Sequence, residues 1–219
     1  MSARDEIFAG IRRSLHVTGN EAPRRAAVAA RLKERPRGVI PARGQGGLST
    51  FESEALRAGA TLAKVEAAAD VPEEIARYLR DSNLPATLRM GADPRLEAMP
   101  WEGTTLEISR GASDGHDLNA VSAAFAAVAE TGSLAMVSGP DNPSTLNMLP
   151  DNHVVVLFAK DVVGDFESVF ERLRAACGAD MPRTLNFITG PSRSADIEQT
   201  LLYGAHGPRR LHIVLAGAR

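Results

Sequence analysis

A single cysteine, Cys177, occurs in 219 residues. That excludes an internal disulfide, and it excludes an iron–sulfur cluster or a Cys-rich zinc site built from this chain alone. Aromatic residues are only 5% of the sequence, and none is interleaved with a basic stripe. With a net charge of −2 no positive field gathers a polyanion, so nucleic acid is not an expected partner. Long apolar runs are missing too. Arg12 and Arg13 interrupt "IFAGIRRSL", and no stretch approaches the roughly 18 residues of a membrane helix. The sequence therefore predicts no signal peptide, no membrane span and a cytoplasmic protein. Several motifs are also absent: GxGxxG, the GxxxxGK[ST] phosphate loop, the GxSxG elbow and HExxH. His206 and His212 lack metal-ligand spacing, so no metal is expected.

What is present is the composition of a globular domain, 44% hydrophobic and 24% charged. Ile7, Phe8, Ile11 and Leu15 form an apolar stripe at helical spacing. From Val17 to Thr50 the chain turns to Arg, Pro and Gly, with room for a short helix around Ala26–Lys33. Residues 1–50 thus read as an N-terminal helix and extended arm, and residues 51–219 as one α/β domain. In that domain strand-like runs ("ATLAKVEA", "ATLRM", "TTLEIS", "GSLAMVS", "HVVVLFA", "TLNFIT", "RLHIVLA") alternate with helical ones. The expected helices are 51–58, "VPEEIARYLRDSN", "AVSAAFAAVA", "DFESVFERLRAAC" and "SADIEQTLLY". Near-continuous apolar strands in such an alternation predict a mixed or mostly parallel sheet covered by helices on both faces. Cys177 falls in an amphipathic helix and reads as a small hydrophobe.

In such sheets ligands sit beyond the carboxyl ends of the strands, which directs attention to three polar loops. In "ITGPSRSADIE", Thr189, Gly190, Ser192, Arg193 and Ser194 frame a predicted helix N-terminus. Free N–H groups and Arg193 make it an anion seat; Ser194 as an ordinary N-cap is the competing reading. In "AETGS", Glu130 follows an apolar lead-in that raises a carboxylate pKa toward acid/base or nucleophilic work. A strand-end glutamate satisfied by backbone N–H groups is the alternative, and Thr131, Gly132 and Ser133 complete that loop. The Pro-rich loop 138–153 ends at His153, which serves either a ligand or the backbone. His206, in "GAHGP", is the candidate for proton transfer because flanking glycines let a backbone approach closely.

Two long motifs, "AETGSLAMVSGPDNPSTLNMLPDNHVVVL" and "MPRTLNFITGPSRSADIEQTLLYGAHGPRRLHIVL", resemble the lactate-utilisation protein C family, whose shared unit is the LUD domain. The first half resembles it more weakly, through "RDEIFAGIRRSL" and "SNLPATL"; Ser133 and Ser194 stand where threonine is expected. The resemblance implies a fold similar to the CoA-transferase, ribose-5-phosphate isomerase and glucosamine-6-phosphate deaminase group. It also implies a non-redox subunit of an L-lactate oxidation complex, in which partner proteins carry the iron–sulfur clusters and this chain binds no cofactor. A small carboxylate or phosphate ligand and a homo-oligomer are compatible with it. By analogy with the glutamate nucleophile of CoA transferases, the resemblance supports Glu130, which together with His206 makes up the catalytic candidates. The binding candidates are Thr131, Gly132, Ser133, His153, Thr189, Gly190, Ser192, Arg193 and Ser194. The competing functions are a self-sufficient isomerase or acyl/CoA transferase acting on a phosphorylated or carboxylated small molecule, and a small-anion sensor without turnover.

Overall fold

The structure is a computed structural model that describes residues 2–178, 180–195 and 201–217. Its contacts divide it into two compact units, Met1–Val39 and Ile40–Arg219.

The first unit holds two helices, α1 (Ala3–Leu15) and α2 (Ala22–Glu34). A capping box starts α1: Ser2 Oγ accepts from the Asp5 N–H, and the Asp5 carboxylate accepts from the Ser2 N–H. His16 ends it in a left-handed conformation. Ahead of α2, the N–H groups of Thr18 and Gly19 donate to the Glu21 carboxylate at 2.5 and 3.1 Å. The short helix expected at Ala26–Lys33 is the body of α2.

In the second unit, α3 (Leu48–Arg57) precedes β1 (Thr61–Val65), and α4 (Val71–Asp81) precedes β2 (Thr87–Met90). Pro72 in the first turn of α4 lacks an N–H where none is needed, and Glu73 and Glu74 there complement the helix dipole. A short α5 (Pro94–Glu97) leads to β3 (Glu107–Arg110), β4 (Asn119–Ala123), β5 (Ala126–Val128) and β6 (Ser133–Val137). Then come α6 (Ser144–Met148), β7 (Asn152–Phe158), β8 (Val162–Val163) and α7 (Phe166–Cys177), the last N-capped by Asp165. The chain finishes with β9 (Leu185–Ile188), β10 (Arg193–Ala195), β11 (Leu201–Tyr203) and β12 (Arg210–Ala216).

The central sheet has six strands in the order β1-β12-β7-β4-β2-β3, all parallel. Its side chains alternate between two cores. Val154, Val156, Val214 and Ala216 pack with Val71, Ile75 and Leu79 of α4 and with Trp101. Val155, Leu157, Ile213 and Leu215 face the other way, toward Phe51 and Ala55 of α3 and toward Leu134 and Met136. Those last two belong to a second sheet, β8-β5-β6-β9, in which β6 runs antiparallel to both neighbours. The outer face of this sheet, through Ala126, Val128 and Ala135, packs on Val169 of α7. A strand buried on both faces shows no polar alternation, which is why β7 and β12 read as continuous apolar runs.

One expected helix is a pair of strands, and a second is extended at both of its described ends. "AVSAAFAAVA" forms β4 and β5, with Ala120 through Ala124 and Ala126 through Ala129 buried. Alanine favours a helix, yet this run has no polar face to show to water, and burial between β7 and β2 decides. "SADIEQTLLY" does not begin a helix at Ser194. Ser194 pairs with Leu202 in the antiparallel β10–β11 hairpin, while Asp196, Ile197 and Glu198 lie outside the described residues. The expected rigid loop 138–153 contains α6, opened by Pro143.

Candidate functional site

The parallel strands direct their carboxyl ends to one side of the sheet, where a cleft of about 600 Å³ is lined by Arg95, Phe125, Phe158, Lys160, Asp161 and Arg172. Its charges largely answer one another. Arg95 grips Asp93 through two nitrogens and donates to the Ala124 carbonyl, and Arg172 pairs with Asp161.

The loops singled out from the sequence gather on the opposite side, at the amino ends of β7 and β12. This departs from the carboxyl-end rule, because the loop after β9 belongs to the second sheet and returns over the start of β12. There a cavity of about 180 Å³ is lined by Asn147, Met148, His153, Ile188, Gly190, Pro191, Ser192, His206, Gly207 and Leu211 among others. Ser192 ties the two halves of its wall together: its N–H donates to the Pro208 carbonyl at 2.8 Å, and its carbonyl accepts from Gly204 N–H at 3.0 Å. Its Oγ lies 3.4 Å from the His206 N–H. Gly190 has φ +76°, and a Cβ there would stand 2.2 Å from the Ala58 carbonyl oxygen, so only glycine lets the loop lie on the end of α3.

The floor of the cavity is polar and closed. His153 Nε2 lies 3.2 Å from Ser122 Oγ, and that oxygen lies 3.0 Å from Asn147 Oδ1. All three residues are buried. Burial pushes the His153 pKa down to about 3, so its imidazole is neutral at physiological pH. His153 Nδ1 and Asn147 Nδ2 find no hydrogen-bond partner among the described residues. A buried polar atom without a partner costs free energy.

Beside the cavity, the hydroxyls of Thr131, Ser133 and Thr189 form a relay, 2.6 Å from Thr131 to Ser133 and 2.5 Å from Ser133 to Thr189. Gly132 makes the approach feasible: its φ is +68°, and a Cβ would lie 2.3 Å from Ala55 N. "AETGS" and "ITGPS" are thus joined across β6 and β9, although Thr131, Gly132, Ser133 and Thr189 are not among the residues lining the cavity. Glu130 is not among the residues lining the cavity. Its N–H donates to the Gly164 carbonyl at 3.0 Å, and its carboxylate lies toward Gly44 and Asp165. Arg193 is likewise not among the lining residues; its guanidinium sits over the Tyr203 ring, 5.9 Å from the centroid, and close to Gly59. With Ser194 in a strand, the helix N-terminus on which the anion seat depended does not begin there. His206 is exposed at the cavity's edge.

Sequence reasoning missed Ser122 altogether and treated Asn147 only as a loop polar group. The available signal was one serine inside an otherwise apolar run, "AVSAAFAAV", which must find a partner once that run is buried.

The model of the LUD domain matches residues 119–216, a span that contains Ser122 and every residue lining the cavity beside His153. An uncharacterized protein of Neisseria meningitidis serogroup B is 38% identical over 93 residues, 42% of this chain and 40% of that protein. The lactate utilization protein C of an Exiguobacterium species is 32% identical over 117 residues, 52% of this chain and 50% of the relative. That of Bacillus subtilis is 32% identical over 94 residues, 42% and 39% of the two chains. The chain spans half or less of the length of these curated relatives. A solved DUF162 family protein from Deinococcus radiodurans shares the fold, with a TM-score of 0.57 and 23% identity over 77% of this chain and 95% of that one. Among the described residues no helix is long and apolar enough to cross a membrane, and no three His, Cys, Asp or Glu gather as metal ligands. The segment similar to the LUD domain thus contributes both the amino ends of β7 and β12 and the strand β9 that flank the cavity.

Proposed function

We propose that this LUD-domain protein is a component of L-lactate utilisation that carries no redox centre of its own. In this reading iron–sulfur partner proteins accept the electrons as lactate becomes pyruvate, and the cavity beside His153 holds the small carboxylate. The observation that carries the proposal is the group of relatives named lactate utilization protein C, of which two are 32% identical to this chain over 117 and 94 residues. Size supports it. A cavity of about 150 Å³ accepts benzene, so one of about 180 Å³ suits a molecule of roughly six to eight non-hydrogen atoms. Lactate is of that size and a coenzyme A thioester is far larger. A transferase reading that uses Glu130 as nucleophile gains nothing here, because the carboxylate faces Gly44 and not the cavity.

The test is genetic and biochemical. Deleting the gene should abolish growth on L-lactate but not on pyruvate, and the tagged protein from lactate-grown cells should bring down iron-containing proteins. Normal growth of the deletion strain on L-lactate refutes the proposal.

A further inference from the structure

No part of the lactate reading uses the cleft at the carboxyl ends of the parallel strands. The connections after β1, β2, β4 and β7 build it, contributing Ala68, Arg95, Phe125 and Lys160 in turn, and α7 adds Arg172. Its volume of about 600 Å³ falls within the roughly 300–1,000 Å³ of small-molecule sites.

Three cations line this cleft, together with one carboxylate, Asp161. Asp161 is buried, whereas the side chains of Arg95 and Arg172 are 39% and 37% exposed. The Asp161 carboxylate accepts from Arg172 through Oδ1, and its Oδ2 lies 3.9 Å from Arg95 Nη1. Phenyl rings brace the same cations. Arg95 and Lys160 each lie 5.8 Å from the centroid of Phe158, and Arg172 lies 5.6 Å from that of Phe125. Arg95 thus shares a carboxylate with Arg172 and a ring with Lys160, which gathers the three into one accessible cluster.

Ion pairing within the protein does not exhaust that cluster. Asp93 and the Ala124 carbonyl take three of the five guanidinium N–H groups of Arg95. Arg172 spends one nitrogen on Asp161, and Lys160 has no carboxylate partner among the described residues. Setting Asp93 and Asp161 against Arg95, Lys160 and Arg172 leaves one positive charge over. Free donors on three separate side chains match the three oxygens of a phosphoryl group, whereas a carboxylate has only two.

We propose that this cleft binds a phosphorylated small molecule, its phosphoryl group held by Arg95, Lys160 and Arg172. An adjoining cavity of about 180 Å³ shares Arg95 and Phe125 with the cleft and is lined further by Ser138, Asp141 and Asn142. It gives the organic part of the ester polar walls next to the phosphoryl seat, room that a free phosphate ion would leave unfilled.

The test is a titration of the full chain with glycerol 3-phosphate, inorganic phosphate and D-glycerate at constant ionic strength, followed by NMR. Glycerol 3-phosphate should bind at least about tenfold tighter than glycerate, and tighter than inorganic phosphate. Lys160 is exposed and outside the ion pairs, so Lys160→Gln should fold normally. It should weaken binding of the ester at least about tenfold, and Lys160→Arg should restore most of that loss. Should Lys160→Gln fail to fold, Arg172→Lys is read in the same way. Lys33→Gln, which removes one positive charge from α2, should change nothing. The proposal is overturned if neither phosphate binds, if glycerate binds as tightly as the ester, or if Lys160→Gln leaves binding intact. An equal loss in Lys33→Gln also overturns it, since the effect is then one of net charge. Inorganic phosphate binding as tightly as the ester upholds the phosphoryl seat and refutes the ester.

Discussion

Acidification should destabilise this protein well above the pH at which its carboxylates are protonated, because of two buried histidines. His153 is 1% exposed, with a single serine contact, and burial pushes its pKa from 6.5 down to about 3. His212 is stacked on Tyr78 at 3.8 Å and bonded to Thr61 Oγ1 through Nδ1. Burial takes it down to about 4, although Glu74 pulls in the opposite direction. In the unfolded chain both rings take a proton as the pH falls through about 6.5, whereas the folded protein refuses it until about 4 or below. The unfolded state then binds more protons, so stability is complete above about pH 6.5 and is lost as the pH falls toward the folded values. At about 1.4 kcal/mol per pH unit, each histidine removes about 2 kcal/mol between pH 7 and pH 5. Together they take about 4 kcal/mol from a stability that is typically about 5–15 kcal/mol. Urea unfolding at pH 7, 6 and 5 measures this, and in His153→Gln or His212→Gln the decline should shrink by about half. An unchanged decline in both variants refutes the assignment of neutral buried imidazoles.

Gly132→Ala and Gly190→Ala each force a side chain into the left-handed region and onto backbone atoms of α3. Each should cost at least about 2 kcal/mol, seen as a fall of about 4–8 °C in Tm. Ser133→Ala interrupts the Thr131–Ser133–Thr189 relay at its buried centre and should cost about 1 kcal/mol by chemical denaturation. Glu130→Gln should leave ligand affinity at the cavity within about twofold, because the carboxylate is not among its lining groups. A loss of binding in a variant with unchanged Tm would restore Glu130 to the site.

The fold was legible wherever periodicity and end signals agreed. Helix α4 announces itself through Pro72, the acidic first turn and the Val71–Ile75–Leu79 spacing, and α7 through the Asp165 cap. The strands β7 and β12 are apolar throughout because both of their faces are buried. Failure came where local propensity and tertiary burial disagreed. "AVSAAFAAVA" is a strong helix former by composition, and nothing within it reveals that β2 and β7 will flank it. The second failure had a functional consequence. Taking Ser194 as a helix cap made an anion seat from a segment that is one strand of a hairpin, and it drew Arg193 into a site that its guanidinium does not line.

The first of these errors also hid a buried polar group. A helix reading of "AVSAAFAAVA" leaves Ser122 as one small residue on a surface, with nothing to explain. As a strand between β2 and β7 the same residue is 2% exposed, and a buried hydroxyl must have partners. Those partners are Asn147, held by the short α6, and His153, at the start of β7. Both of those side chains were visible in the sequence as polar groups in a Pro-rich loop, but only the strand pairing of β4 with β7 places a third polar group between them. Two atoms of this group, Asn147 Nδ2 and His153 Nδ1, keep no partner among the described residues, and each such loose end in an apolar core costs about 1–3 kcal/mol. Asn142 Oδ1 and His212 Nε2 carry the same cost elsewhere in the domain, so it follows from the strand pairing and burial that enclose these groups and not from the cavity alone.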